Sequence, residues 1–295
     1  MSCPLCDHDR ARPSWLGTTV YAQHEFPYVE CERCGSLYCD PMPNDDIVAL
    51  MYGPDYGADP EAESVATGDP REPQCVVELI RGRPPGVFVD YGCRDGSLLV
   101  EAEKLNWRAV GVELDARVAR EAAARTGAEV ITPSDEKLTD GFADVVHLGD
   151  VIEHLTKMNE QLPAMLRLLK PGGLFLAQGP LEGNANLFTA AIRLSRKLTG
   201  PRRIETPPRH VMLATSAGQR ALFARFGLTE SEYRVREVAW PAPAHLSRSV
   251  LKDLRGLALF VLRRCSQALS SLRPGVWGNR YFYAGIKFED RGPSI

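Results

Sequence analysis

The period of apolar positions changes along the chain, and the changes mark its parts. From residue 87 to residue 178, short apolar runs alternate with stretches of helical spacing. Val87-Phe88-Val89 is closed by Asp90-Tyr91, the pattern of a strand covered on both faces. A helix is predicted over 97–105, a strand over 108–113, a helix over 116–126, and strands over 128–132 and 144–148. A helix over 159–169 stops at Lys170-Pro171-Gly172-Gly173, and a strand over 174–178 follows. Strands alternating with helices predict an α/β fold, a doubly wound, mostly parallel sheet with helices on both faces.

On either side of this block the pattern is less regular. Residues 1–43 are short-stranded and rich in turns, and read as a small separate module. Residues 44–74 read as a connector, with one short helical pattern over 45–52 followed by an acidic stretch rich in glycine and proline. The main domain is placed at 75–295. In its last third, 184–198 and 215–226 have helical spacing, 230–238 reads as a strand, 246–272 as a long amphipathic helix or a broken pair, and 280–288 as a final strand. Two inserted lids are expected, at about 181–212 and 246–272.

Composition narrows the function classes. A chain of 295 residues with 44% apolar and 25% charged residues suits one full α/β domain with small appendages, and excludes a disordered or collagen-like protein. The net charge of -3 gives no general attraction to nucleic acid, and none is expected as a partner. No apolar run approaches the roughly 18 residues of a bilayer crossing, and no basic segment followed by an apolar run marks a leader. A cytoplasmic location is therefore expected.

The segment Asp90-Tyr91-Gly92-Cys93-Arg94-Asp95-Gly96-Ser97 lies between the first strand and the first helix of the block, where a doubly wound fold holds its nucleotide. A dinucleotide fingerprint needs glycines where this chain has Arg94 and Ser97. Asp90 at the strand end repels a pyrophosphate and can receive a cationic amino-acid end. The expected ligand is thus a nucleoside without phosphates. Glu113 closes the second strand, where its carboxylate can accept two hydrogen bonds from ribose hydroxyls. Asp135, in competition with Ser134 and Glu136, follows the third strand near the place of an adenine amino group, and Asp150 follows the fourth.

Four segments, Val-Asp-Tyr-Gly-Cys-Arg-Asp-Gly-Ser-Leu-Leu, Val-Gly-Val-Glu-Leu-Asp, Asp-Val-Ile-Glu-His-Leu and Leu-Lys-Pro-Gly-Gly-Leu, resemble in order and spacing the motifs of class I S-adenosylmethionine-dependent methyltransferases. The resemblance implies a seven-stranded sheet with S-adenosylmethionine as cofactor. It also implies that Asp90, Gly92 and Gly96 line the methionine part, Glu113 holds the ribose, and Asp135 and Asp150 complete the pocket. Pro207-Pro208-Arg209-His210 with the helix over 215–226 resembles a downstream element of one branch of the family. Arg94 stands where the family usually has glycine; a Cβ there either crowds the cofactor or sits in a loop with negative φ.

Cys3-Pro-Leu-Cys6 and Cys31-Glu-Arg-Cys34, the latter followed by Gly35, have the spacing of two knuckles that supply four thiolates to a structural zinc. A unit of some 40 residues has little core of its own, so metal would stabilise it. Cys39, Cys75, Cys93 and Cys265 have no partner at ligand spacing and are expected as core thiols. A knuckle pair ahead of such a core resembles a bacterial subgroup that includes sugar C-methyltransferases and enzymes of polysaccharide and natural-product pathways. This implies a small-molecule or saccharide-type acceptor.

A methyl group on a sulfonium is already activated, so few catalytic groups are needed beyond a base for the acceptor. His154 and His210 are the candidates, since neutral imidazole takes a proton near pH 7. Arg193, Arg196, Lys197, Arg202 and Arg203 make the first lid basic. The apolar and basic residues of 246–272 are expected to pack on the core or on a second subunit, with peripheral contact to an anionic membrane as the alternative. The competing reading of the whole chain is a non-catalytic cofactor-binding or partner-binding protein with a degenerate core, marked by Arg94.

Overall fold

A computed structural model of the chain describes residues 1–53, 72–238, 245–247, 253–273 and 275–287. Most of the acidic part of the expected connector, together with Arg248, Leu251, Lys252 and Phe288, lies outside the described residues. The N-terminal strands are β1 (Ala11–Tyr21), β2 (His24–Cys31) and β3 (Leu37–Cys39), followed by helices α1 (Asp45–Met51) and α2 (Glu72–Arg81). The alternating block is β4 (Val87–Tyr91), α3 (Ser97–Glu103), β5 (Arg108–Val112), α4 (Ala116–Thr126), β6 (Glu129–Ile131), β7 (Ala143–Gly149), a 3-10 turn (Ile152–His154), α5 (Met158–Arg167) and β8 (Leu169–Pro180). The last third holds α6 (Leu187–Thr199), β9 (Arg202–Glu205), β10 (Met212–Leu213), α7 (Ser216–Arg225), β11 (Leu228–Arg236), α8 (Leu254–Leu272) and β12 (Arg280–Lys287).

The expected sheet is present. Seven strands run in the order β11-β12-β8-β7-β4-β5-β6, and β6, β5, β4, β7 and β8 are parallel neighbours. Strand order reverses at β4, which puts the switch point of the doubly wound topology beside the glycine loop. One sheet face is covered by a core that includes Val76, Ile80, Phe88, Leu99, Trp107 and Phe282. Phe175, Phe223 and Tyr283 form an aromatic cluster, with the rings of Phe223 and Tyr283 4.0 Å apart. Helix starts are set by short polar side chains: Asp115 caps α4, Asn186 caps α6 and Asp253 caps α8, each accepting from backbone N–H groups of the first turn.

A second sheet has five strands in the order β10-β3-β2-β1-β9. Its three central strands come from residues 11–39, and both edges come from the segment expected as the first lid. β9 runs parallel to β1, pairing Arg202 with Gly17, and β10 runs antiparallel to β3, pairing Met212 with Tyr38. Gly17 has φ +105° and its Cβ position lies 2.0 Å from the carbonyl oxygen of Arg202, so only glycine admits this strand pairing.

The chain forms two compact units, neither continuous in sequence. One takes the described residues of Met1–Thr67, Pro180–Leu222 and Arg234–Tyr281; the other takes those of Gly68–Gly179, Phe223–Tyr233 and Phe282–Ile295. The first therefore holds the cysteine pairs, β9, β10, α6 and α8, and the second holds the glycine loop.

The helix expected over 159–169 spans Met158–Arg167, and His154 sits in the 3-10 turn before it. One local expectation differs. α8 turns only part of its apolar side inward: Leu257, Leu259 and Leu262 are half-buried, Leu254, Val261 and Leu272 are exposed, Cys265 is an exposed thiol rather than a core one, and Arg263, Ser266 and Ser270 are buried. Among the described residues no helix is long and apolar enough to cross a membrane.

Candidate active site

The glycine loop is shaped by backbone bonds to the neighbouring strand. The N–H groups of Gly92 and Cys93 both donate to the carbonyl of Val112 at the end of β5, and Gly96 N–H donates back to Cys93. Gly92, Arg94 and Gly96 all have left-handed backbone, with φ of +82°, +47° and +71°. A Cβ on Gly92 would lie 2.7 Å from Val151 Cγ2, and one on Gly96 would lie 3.1 Å from Thr126 Cγ2, so the two glycines are required by conformation and by space. The negative φ anticipated for Arg94 is not found. The loop keeps the shape that a glycine there would give it, and the arginine adopts it.

Four carboxylates stand at the C-terminal edges of four adjacent parallel strands. Asp90 belongs to β4, Glu113 follows β5, Asp135 follows β6 and Asp150 follows β7. Asp90 is buried, and its Oδ1 lies 2.7 Å from Nδ1 of His147, the residue in register with it on β7. Glu113 Oε2 accepts the N–H of Arg94 at 3.0 Å, and Oε1 accepts those of Leu114 and Asp115. Asp135 Oδ1 accepts from the N–H of Lys137, and Asp150 has φ +53° with its N–H donating to the carbonyl of Gln178.

Two members of this constellation were passed over in the sequence. His147 is a polar residue within the apolar run from Val145 to Leu148, and that interruption is the available signal. Asp95 accepts from both the N–H and the hydroxyl of Ser97, the first residue of α3, and it pairs with Arg125. Burial works to raise the Asp95 carboxyl, but the Ser97 bonds and the charges of Arg125 and Arg94 hold it below the ordinary value.

In the other unit, His210 Nδ1 lies 2.7 Å from Glu182 Oε2, and the His210 carbonyl accepts from the Tyr28 hydroxyl at 2.7 Å. Burial tends to raise the Glu182 carboxyl; His210 and Arg280 outweigh it, and the group is held below the ordinary carboxylate range. A carboxylate on Nδ1 fixes the neutral tautomer with its proton there and its basic lone pair on Nε2. His154, in the unit that holds the glycine loop, is half-buried beside Glu153.

The four knuckle cysteines converge. Their Sγ atoms lie within 4.8 Å of one another, with Cys3 to Cys34 at 3.8 Å and Cys6 to Cys31 at 3.5 Å. A tetrahedral zinc with bonds of about 2.3 Å separates its sulfurs by about 3.8 Å, so the donor set has the chemistry and spacing of such a site. Each knuckle closes through a left-handed residue, Asp7 at φ +57° and Gly35 at φ +71°. The Cys34 thiol is pushed down to about 5, first by the hydrogen bond from Cys3 and then by those from Ser36, against burial. Ser36 and the carbonyl of Cys34 in turn hold Thr215, which precedes α7. Cys39 is buried outside the cluster, and burial raises its thiol to about 12.

The sequence matches the family model described as "Methyltransferase domain" over residues 71–232. Several solved structures are similar to the chain. A Haloferax volcanii protein in complex with a methyltransferase activator has 16% identity and a TM-score of 0.49, over 75% of this chain and 91% of that one. A SAM-dependent methyltransferase from Methanosarcina mazei has 14% identity and a TM-score of 0.48, over 72% and 98%. Geranyl diphosphate C-methyltransferase from Streptomyces coelicolor has 15% identity and a TM-score of 0.44, over 72% and 76%. No curated protein matches the sequence. The family match spans more than half of the chain and includes both the glycine loop and the carboxylate edge; the chain belongs to the methyltransferase-domain family.

Proposed function

We propose that the protein transfers the methyl group of S-adenosylmethionine to a small-molecule or saccharide-type acceptor in a bacterial biosynthetic pathway, in the cytoplasm. The observation that carries the site assignment is the Gly92 to Gly96 loop, left-handed at three residues and tied to Glu113. The cofactor, when bound, supplies a methyl group already activated on a positively charged sulfur. The protein's task is then to bind, orient, exclude water and remove a proton from the acceptor.

In this reading Gly92 and Gly96 let the backbone approach the methionine part, and Asp90 receives its ammonium group through the oxygen not bonded to His147. Glu113 holds the ribose. Its carboxylate has about four acceptor positions and already accepts three N–H bonds, so a first ribose hydroxyl takes the remaining place and a second competes with Arg94. Asp135 and Asp150 complete the pocket. His210, oriented by Glu182, is the general base, with His154 the alternative. The four cysteines hold a structural zinc that locks the knuckles onto the start of α7.

Isothermal titration with S-adenosylmethionine and with its demethylated product tests the assignment. Saturable heat with both is expected, and Glu113→Ala should abolish it. A flat titration with both ligands would remove the catalytic reading and leave the partner-binding one. Elemental analysis is expected to find about one zinc per chain, lost in Cys34→Ser.

A further inference from the structure

Helices α6 and α8 pack on each other with polar side chains inside. Leu187 N–H donates to Ser266 Oγ, and the buried Arg263 guanidinium lies 4.4 Å from the centroid of the Phe188 ring while pairing with the buried Glu237. Thr189, Arg263, Ser266 and Ser270 are inside. Outside stand Leu194 and Leu198 on α6 and Leu254, Val261 and Leu272 on α8, with Leu198 82% and Leu254 84% exposed. A scattered exposed leucine needs no explanation, but a helix pair that buries serines and an arginine, half-buries Leu187, Leu257, Leu259 and Leu262, and leaves a row of further leucines in solvent does.

The exposed apolar positions are ordered. On α6, Leu194 and Leu198 are separated by one turn, and on α8, Leu254, Val261 and Leu272 follow one helical stripe about 27 Å long. The charges on the two helices are all of one sign. Arg193, Arg196, Lys197, Arg255, Arg263 and Arg264 are their six ionised side chains, with no acid among them, in a chain whose net charge is -3. Arg202 and Arg203 continue the series just after α6.

We propose that α6 and α8 dock the protein, lying in the plane of the surface, on an anionic lipid bilayer. Leucines enter the acyl boundary while the exposed Lys197, Arg255 and Arg264 beside them meet lipid phosphates, the pairing of groups an amphipathic interfacial helix uses. A second copy of the chain is a poorer occupant, because it would bring two sets of like charges together. A nucleic acid would satisfy the cations and leave the leucines in water. The docking is independent of the acceptor and of the methyl-transfer assignment.

Flotation of the full, zinc-loaded chain tests this, with vesicles of phosphatidylcholine alone and of phosphatidylcholine and phosphatidylglycerol in equal parts. The chain is expected to float with the mixed vesicles, to stay behind with the neutral ones, and to be released as salt is raised. The double variant Leu198→Glu with Leu254→Glu is expected to lose flotation with its melting temperature unchanged, since both side chains are already solvent-exposed. Failure to float with the anionic vesicles overturns the proposal. So does flotation that the double variant leaves intact. A doubling of mass in sedimentation, abolished by the same variant and without any flotation, overturns it in favour of a second copy.

Discussion

Arg94 holds φ +47° in a loop where both neighbouring turns are made by glycine, and its N–H closes on Glu113. A left-handed residue with a Cβ costs on the order of 1 kcal/mol, partly offset because arginine restricts the unfolded chain more than glycine does. Arg94→Gly is therefore expected to raise stability by about 0.5 kcal/mol in urea melts, and to leave or improve cofactor affinity by titration. A clear loss of affinity would mean that the arginine side chain itself takes part in binding. At His210 the chemistry can be followed by pH. Glu182 is held below its ordinary range, so the pair stabilises the fold above the unfolded value of about 4.3, and this contribution is lost as pH falls through the lowered value. His210→Ala removes the counter-charge and leaves burial to push Glu182 up. Melts against pH should show the variant losing stability at a higher pH than the parent. Its turnover should fall by about 100-fold or more, the usual worth of a positioned base.

Elements with a single dominant period were legible before any coordinates. β4 and α4 occupy the expected residues, and β5 ends one residue early, at Val112, although the N–H of Glu113 still donates to the Ile131 carbonyl of β6. Lys170-Pro171-Gly172-Gly173 reads as a helix stop, yet the strand already begins at Leu169. The pairing passes from Ala143 opposite Leu169 to Val145 opposite Leu174, and the irregularity absorbs the extra residues. α2 was hidden because the boundary drawn at residue 75 cuts through it. β9 and β10 were hidden for a different reason: they are too short for any period to show, and their partners are remote strands. The covered stripe of α8 was also invisible, because a helix of mixed arginines, serines and leucines does not declare which stripe is covered; the Arg263 to Glu237 pair and the bond of Ser266 to Leu187 decide it. Of the site, the glycines, the carboxylates and the cysteine pairs follow from local motifs, His147 leaves only a polar break in an apolar run, and Glu182 is defined only by what it touches.

The two compact units give the molecule two addresses for its ligands. The cysteine cluster lies in one and the glycine loop in the other. Scanning calorimetry is expected to resolve two transitions. A strong chelator should lower one alone, and S-adenosylmethionine should raise the other, by about 2.7 kcal/mol when present at 100 times its dissociation constant. One transition moved by both additions would show that the units melt as a single cooperative body.

The five-stranded sheet also carries a timetable. Its central strands leave the ribosome first, but the edges that complete it, Arg202 beside Gly17 and Met212 beside Tyr38, are not yet made. At a synthesis rate of about 5–20 residues per second, the N-terminal hairpin waits roughly 10–35 s with both its edges open. Open edges invite pairing with other chains. A zinc bound by the two knuckles, as proposed above, would hold the nascent hairpin in register through that interval, and metal supply during translation would then govern how much protein reaches its native state.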